Sequence, residues 1–236
     1  MAVVLFFALA GTATAQKKFS KTYPAGQNVR LSLMNRSGTV TVEGWDRNDI
    51  NIAALLEAPA ANIVPQNLSG TIAINVVRDN QGRGEVGNVN FLIRVPYNAM
   101  VDIETRIGNL SVSNVRSGLV RAKISTEGDI TLVNVVASNV SAENLTGDIF
   151  YDGEILDQGS YRFSSMRGVI NLHIPITSSF RVIATAPSTR NISFGAFSGG
   201  DMNYLGDGRR VVARFGSGSA TMSVTNQQGS IAFSRR

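Results

Sequence analysis

The sequence predicts an all-β protein built from stacked coils, and three observations lead to this prediction. A glycine-centred segment recurs six times, apolar and polar residues alternate on both sides of the glycine, and the central glycines are regularly spaced. Alternation with period two is typical of a half-buried strand, not of a helix. A period of about 20 residues indicates stacked coils, because one coil cannot bury its own inner face.

The repeated unit is a strand, a glycine turn and a second strand. Each copy reads apolar, x, apolar, four x, Gly, x, apolar, x, apolar, and the glycine allows a positive φ at low steric cost. The central glycines at 108, 128, 147 and 168 are 19 to 21 residues apart. The copies are "LSLMNRSGTVTV" (31–42), "VDIETRIGNLSV" (101–112), "VSAENLTGDIFY" (140–151), "YRFSSMRGVINL" (161–172), "MSVTNQQGSIAF" (222–233) and, with its first apolar pair shifted by one residue, "RAKISTEGDITL" (121–132).

The two positions after the glycine differ in what they tolerate. The second is aliphatic in every copy, whereas the first varies and includes Asn109, Asp129 and Asp148. We interpret the recurring Gly-Asp-Ile as a fold repeat whose polar residue hydrogen-bonds nearby backbone. The alternative is a cation between Asp129 and Asp148, roughly 4.8 Å apart in stacked strands, with Asn109 as a further ligand. Because calcium takes six or more oxygens, the sequence predicts no metal site.

Residues 1–15 are predicted to form a signal peptide and 16–236 a single β-solenoid domain. The run from Ala2 to Gly11 is apolar, and Ala13-Thr14-Ala15 has the pattern of a cleavage site. The run is shorter than the roughly 20 residues of a membrane span. We therefore expect an exported protein, periplasmic, surface-bound or extracellular, with no stable membrane span after cleavage. Within the domain, 31–100 is predicted to be less regular and 101–236 to carry the regular coils.

Some connecting segments carry their own predictions. The alternation of "TIAINVVRD" (71–79) predicts a strand, and "APSTRNISFGAFSGGDMNYLGDGRR" (186–210) predicts a glycine-rich excursion from the coils. The open ends of a stack expose unpaired backbone groups. We expect Gln16–Tyr23 and Arg235–Arg236 to cover them.

Composition narrows the classes of partner. The chain has 22 Lys plus Arg against 17 Asp plus Glu, and no Cys, which excludes disulfides and thiolate metal sites. The basic residues are scattered and do not alternate with aromatic residues, so no nucleic-acid partner is predicted. The charge indicates a solvated basic surface, the alternative being attraction to anionic envelope polymers.

The chain resembles the bacterial putative-adhesin family. The matching pieces are "SGTVTVEGWDRNDINI", "LIRVPYNAMVDIETRIGNLSVSNV", the "STEGDI" and "LTGDI" copies and "RFGSGSATMSVTNQQGSIAFS", which together span most of 31–236. The resemblance implies an exported, single-stranded, right-handed β-helix-like solenoid with coils of about 20 residues. It implies no catalytic residues and no cofactor.

Few residues of the sequence could serve as the catalytic groups of an enzyme. His173, the only histidine, is predicted to be a solvated surface residue, so a triad or His-based acid/base site is not expected. Asp152, Glu154 and Asp157 could serve a glycosidase, but they are interpreted as a polar turn. Arg209-Arg210 is interpreted as an exposed turn. The sequence predicts no catalytic, cofactor-binding or metal-binding residue.

The function predicted from the sequence is a non-enzymatic envelope or surface protein. Stacked coils present regularly spaced side chains, which suits an extended glycan or protein partner. The alternatives are an envelope polysaccharide hydrolase or lyase, and a periplasmic regulatory partner of another protein. The candidate outward polar positions are Thr41, Ser111, Thr131, Asn171 and Arg181.

Overall fold

The computed structural model describes residues 16–26, 28–197 and 201–236, so the predictions for 1–15 lie outside the described residues. The described residues form one hydrogen-bonded sheet of 20 strands and one short helix, α1 (Val76–Asp79), which confirms the all-β class. The strands are β1 (Lys17–Pro24), β2 (Arg30–Ser37), β3 (Val40–Trp45), β4 (Asp49–Leu56), β5 (Gln66–Leu68), β6 (Thr71–Asn75), β7 (Val89–Pro96), β8 (Met100–Ile107), β9 (Leu110–Ser113), β10 (Arg116–Glu127), β11 (Ile130–Thr146), β12 (Ile149–Glu154), β13 (Ser160–Arg167), β14 (Val169–Ile174), β15 (Phe180–Thr185), β16 (Ile192–Ser193), β17 (Asp201–Leu205), β18 (Arg210–Phe215), β19 (Ala220–Asn226) and β20 (Ser230–Arg235).

The repeated copies stack as two parallel ladders. Strands that precede the glycine form the back face, in the order β2, β8, β10, the second part of β11, β13, β19 and β15. Strands that follow it form the front face, in the order β3, β9, the first part of β11, β12, β14 and β20. The inward side chains of both faces belong to one apolar cluster, so the core lies between the faces.

The aliphatic position of the repeat is one continuous column through that core. In the front ladder these residues pair with one another from coil to coil, and each is at most 1% exposed. A shift of one residue in any strand would turn its whole apolar set outward. The column fixes the stacking register and consists of Val40, Leu110, Ile130, Ile149, Ile170 and Ile231.

The repeat glycines form a second column, at the turn between the faces. An added methyl group on Gly147 would overlap the carbonyl oxygen of Gly128, and one on Gly168 would overlap that of Gly147. Gly147 also has φ of 127°, a conformation that L side chains rarely adopt. The glycine is therefore required both for the turn and for the close approach of consecutive coils.

A buried polar column beside the glycines was missed in the sequence. Asn144 Nδ2 donates to the Gly128 carbonyl at 3.1 Å, and Asn226 Nδ2 donates to the Gly168 carbonyl at 2.8 Å. Each side chain thus satisfies a turn carbonyl of the preceding coil, which a buried turn requires. The signal was the fifth position of the copies, which is Asn, Thr or Ser in all six, although Ser125 of the shifted copy is exposed. The members are Asn35, Thr105, Asn144, Ser165 and Asn226.

The described chain is not a uniform series of parallel coils. β4 pairs antiparallel with β1 and β7, β5 with β6, and β18 with β15 and β17. The predicted strand over 71–79 is wrong in its last four residues, which form α1. Asn75 caps this helix, since its side chain accepts from the Arg78 backbone N–H at 2.8 Å.

The two ends of the stack are covered in different ways. β1 pairs with the edge of β4, as expected for the segment Gln16–Tyr23. The expectation for Arg235–Arg236 stays a prediction: Arg235 pairs with Ile174, and on the outer side of β20, within the described residues, only Ile231 and Ala232 pair, with β16. The C-terminal end is also packed with aromatic rings whose centroids lie 4.8 to 6.4 Å apart, namely Phe180, Phe194, Phe197, Phe215 and Phe233.

Candidate functional site

The possible cation ligands of the sequence, Asn109, Asp129 and Asp148, form a hydrogen-bonded ladder along the front face. Asn109 Oδ1 accepts from the Asp129 backbone N–H at 3.0 Å, Asp129 Oδ1 from that of Asp148 at 2.8 Å, and Asp148 Oδ1 from that of Val169 at 2.7 Å. Each side chain binds the backbone of the next coil through Oδ1, as expected of a residue that holds the turns together. Within the described ranges, no group of three or more His, Cys, Asp or Glu side chains could hold a metal ion.

Four of the five predicted outward positions lie in one row across the front face. Thr41 pairs with Ser111, Ser111 with Thr131, Thr131 with Phe150, and Phe150 with Asn171. Neighbouring positions in a ladder are roughly 4.8 Å apart. We call these five residues the front row. Phe150 is 37% exposed, and the polar members are half-buried.

The fifth predicted position, Arg181, lies elsewhere. It is in β15, on the back face, so the structure does not bring it together with the front row. Sequence reasoning could place each residue outward, but it could not tell which ladder β15 joins after the loop 175–179 that follows β14.

The front row leads into a groove of about 440 Å³ at the N-terminal end of the front face. Thr41 pairs with Leu92, and Leu92 with Ala53, so the row continues onto the floor of the groove. Leu92 and Leu55 are 43% and 40% exposed there. Its volume lies in the range of small-molecule sites, which are usually apolar with a few polar groups. The lining residues are Lys18, Phe19, Ser20, Thr39, Thr41, Ala53, Ala54, Leu55, Asn90, Phe91 and Leu92.

Phe150, Leu55 and Leu92 are the members of this surface that sequence reasoning missed. Each occupies an outward position of an alternating strand, where a polar residue is usual. An apolar residue at such a position was the available signal. Exposed apolar residues that are scattered singly carry no information, but a contiguous set with a polar rim indicates a binding surface.

His173 is half-buried and paired, so the prediction of a solvated histidine is wrong. Its Nδ1 lies 3.0 Å from Asp152 Oδ2, and the other carboxylate oxygen lies 3.2 Å from Arg236 Nε. Asp152 belongs to β12, not to a polar turn, and β12 and β14 place it in register with His173. The three side chains tie the C-terminal residue to the stack.

An acid, a histidine and a serine meet on this face without forming a triad. Ser234 pairs with His173 in the front ladder, next to Asp152 on the other side. Within the described part of the chain, however, the Ser234 hydroxyl has no hydrogen bond to His173, and Asp152 is shared with Arg236. A triad requires a base within hydrogen-bond reach of its nucleophile.

The remaining candidate residues are dispersed. Asp157 accepts a hydrogen bond from Ser219 Oγ at 2.6 Å, and Glu154 is exposed at the end of β12. Arg209 lies in a turn and Arg210 begins β18, both exposed. These residues do not join Asp152 in one cluster.

Two buried tyrosines, Tyr151 and Tyr161, are held in place by hydrogen bonds of their hydroxyl groups. The Tyr151 hydroxyl donates to the Glu154 carbonyl at 3.0 Å, and the Tyr161 hydroxyl donates to that of Ala137 at 2.9 Å while accepting from the Leu156 N–H. Burial raises the pKa of Tyr151 well above its usual value, and the charges around it act in the same direction overall. Burial also raises the pKa of Tyr161. Both groups are structural.

Among the residues that the structure describes, no helix has the length and apolar composition needed to cross a membrane.

Comparison with known proteins finds similarity in structure but not in sequence. No protein-family model matches the chain, and no curated protein matches it. A "putative cell adhesion protein" from Clostridium sporogenes is 11% identical, with 94% of this chain and 100% of that chain covered and a TM-score of 0.49. A "putative adhesin" from Bacteroides fragilis is 11% identical, with 94% and 99% covered and a TM-score of 0.42.

A third solved structure carries a different name. The "putative lipid binding protein" from Parabacteroides distasonis is 10% identical, with 92% of this chain and 96% of that chain covered and a TM-score of 0.41. Proteins named putative adhesins are thus among the solved structures to which the chain is similar.

Proposed function

We propose that this protein is an exported, non-enzymatic binding module that holds an extended glycan across its front face. The observation that carries the proposal is the front row, in which five outward side chains stand in register and continue into a groove. A rigid ladder holds these side chains at a repeated spacing, which lowers the entropic cost of binding a repetitive ligand.

The chemistry of the row suits a sugar chain. Thr41, Ser111 and Thr131 offer hydroxyl groups, and Asn171 offers both a donor and an acceptor. Phe150 offers a flat apolar ring against which the C–H face of a sugar can pack. A row that combines three hydroxyl groups, one apolar ring and one amide matches the two kinds of surface that a glycan presents.

The groove would serve as the anchor of the complex. Leu92 and Leu55 give it an exposed apolar floor, while Asn90 and Lys18 line it with polar groups. Pockets of this kind contribute most of the binding energy through a few buried contacts, with the remaining surface adding complementarity.

The architecture proposed for residues 16–236 is a single right-handed β-helix-like solenoid. Parallel pairing of copies about 20 residues apart supports this proposal, and the antiparallel segments at both ends would act as its covers. An exported location is proposed from the signal-peptide pattern of residues 1–15.

The test is binding of purified 16–236 to isolated sacculi, outer-membrane vesicles and a panel of neutral polysaccharides over a salt series. We expect saturable binding that survives high salt, since screening weakens attraction between exposed charges but not apolar contacts. Phe150→Ala and Leu92→Gln should each lower the affinity by about tenfold.

The matched controls lie away from the front row. Tyr204→Ala removes an aromatic ring from β17, and Ser164→Ala removes a hydroxyl from the back face. Equal losses in controls and front-row variants would contradict the proposal. Products released from the polysaccharide would indicate the hydrolase or lyase alternative, whereas saturable binding to a protein alone would indicate a regulatory partner.

A further inference from the structure

The C-terminal end of the back face carries arginines without acidic partners. Arg162 in β13 and Arg181 in β15 line one shallow concavity of about 260 Å³. In the described part of the chain, neither guanidinium lies within 4 Å of a carboxylate or donates a hydrogen bond to another side chain. Both side chains are exposed.

Basic residues in the middle of the same face are arranged differently. Arg121 Nε lies 3.0 Å from Asp102, and Lys123 Nζ lies 3.1 Å from Glu104. Arg30 also pairs with Asp102. These three basic residues are thus neutralised by carboxylates of the same face, whereas Arg162 and Arg181 leave positive charge uncompensated at the C-terminal end.

The floor between the two arginines consists of hydroxyl groups. β19 lies between β13 and β15, and it places Thr221 beside Arg181 and Ser223 beside Arg162. Ser160 adds a third hydroxyl from β13. The Cα atoms of the two arginines are separated by two inter-strand steps and by two residues along the strand, roughly 12 Å in all. Both guanidinium groups can therefore reach a group held above β19.

We propose that this concavity, the back-face arginine site, binds a sulfate or phosphate ester carried by a glycan. Donors approach from three strands, which suits a tetrahedral oxyanion with oxygens in several directions better than a planar carboxylate. The site is on the opposite face from the front row and is independent of the function proposed for that row.

A sugar-borne oxyanion fits the surroundings better than a lipid headgroup. The other lining side chains are Tyr161 and Met222, which are buried, and Ile183, which is half-buried. Among the residues that the structure describes, the concavity therefore offers no exposed apolar side chain that could enter a bilayer beside the arginines. Two carboxylates bound the site. Asp201 lies opposite Arg214 across β17 and β18 in the adjoining concavity. On the other side, Glu143 accepts from the hydroxyl of Ser141, the residue that pairs with Arg162.

The experiment compares titration of the purified protein with dextran sulfate, uncharged dextran, alginate and phosphatidylglycerol vesicles. Dextran sulfate should bind, uncharged dextran should not, and alginate should bind at least tenfold more weakly. Arg162→Gln and Arg181→Gln should each lower the dextran sulfate affinity by about tenfold, because each removes charge-assisted hydrogen bonds. The double variant should lose about a hundredfold.

Arg106→Gln is the control for net charge. Arg106 is exposed in β8 of the same face, and its substitution removes the same charge as either site variant. Equal losses in Arg106→Gln and the site variants would overturn the site in favour of general attraction. Equal binding of alginate would overturn the preference for a tetrahedral oxyanion, and site-dependent binding of vesicles without binding of dextran sulfate would overturn the glycan.

Two further measurements separate this site from other effects. Urea unfolding of the arginine variants should match the unmodified protein, because exposed unpaired charges contribute little to stability. Phe150→Ala should leave dextran sulfate binding unchanged, so failure of the front-face proposal and failure of the arginine site give different results.

Discussion

Replacing Gly147 by alanine should destabilise the stack by about 3 kcal/mol or more. The backbone at Gly147 has φ of 127°, and holding an L residue there costs about 1–3 kcal/mol. The added methyl group would also overlap the Gly128 carbonyl, so the two coils must separate. Separation weakens the bonds from the Gly128 and Ile130 N–H groups to the Thr146 and Asp148 carbonyls, both 2.9 Å, each contributing about 0.5–1.5 kcal/mol.

Urea unfolding followed by circular dichroism would measure this loss, with Gly118→Ala as the matched control. Gly118 lies in β10, a Cβ there would meet no atom within 4 Å, and its φ lies outside the left-handed region. Its substitution should be neutral or stabilising by up to about 1 kcal/mol. For a domain of this size, the Gly147→Ala loss corresponds to a melting temperature lower by about 6–12 °C. A difference between the two variants below about 1 kcal/mol would refute the close stacking of the glycine column.

Three other predictions concern the same coils. Asp148→Asn should change the free energy of unfolding by less than about 0.5 kcal/mol, since the amide oxygen still accepts from the Val169 N–H. Asp148→Ala removes this acceptor and should cost about 1 kcal/mol. A calcium-dependent melting temperature in the unmodified protein would contradict the ladder. Ile149→Asp should prevent folding, because an unpaired carboxylate at a fully buried position costs several kcal/mol. Phe150→Asp, one residue away and exposed, should fold. Circular dichroism spectra of both variants would show whether each one folds. The free energy of unfolding should hold up to about pH 10 and fall above it by up to about 1.4 kcal/mol per pH unit for Tyr151, because the unfolded chain releases the phenolic proton near pH 10.0 and the folded chain retains it. Tyr151→Phe should flatten the alkaline part of a plot of urea midpoint against pH. An unchanged plot would exclude this tyrosine as the cause.

The local sequence pattern was sufficient to predict the glycine turns and the buried positions, because backbone geometry and burial there follow from adjacent residues. The alternation around Gly147 gave the correct inward residues on both sides, and the aliphatic residue two positions later identified the core column. The variable residue after the glycine was correctly assigned to backbone hydrogen bonding, although its partner is the next coil and not its own turn. Stacking depends only on a repeat of about 20 residues, which a sequence displays directly.

Contacts between distant segments could not be derived in the same way. The bond between Asp152 and His173 depends on the register of β12 against β14, and one residue of slippage would separate them. The short helix α1 continues an alternating pattern, but Asn75 caps it because its side chain reaches the Arg78 N–H. Propensity and alternation are weak where a local hydrogen bond offers the backbone another conformation.

The sequence by itself determined the all-β class, the repeat, the glycine turns and the outward direction of the polar positions, because each follows from a period of two within a strand and a period near 20 between coils. Only the tertiary structure decided which outward residues stand together. It aligned Thr41, Ser111, Thr131, Phe150 and Asn171 in one row and placed Arg181 with Arg162 on the opposite face. The physical reason is that a surface is assembled by hydrogen bonding between coils. The partners of β15 are β19 and β18, which follow the excursion 186–210, and no local pattern encodes how that excursion folds back.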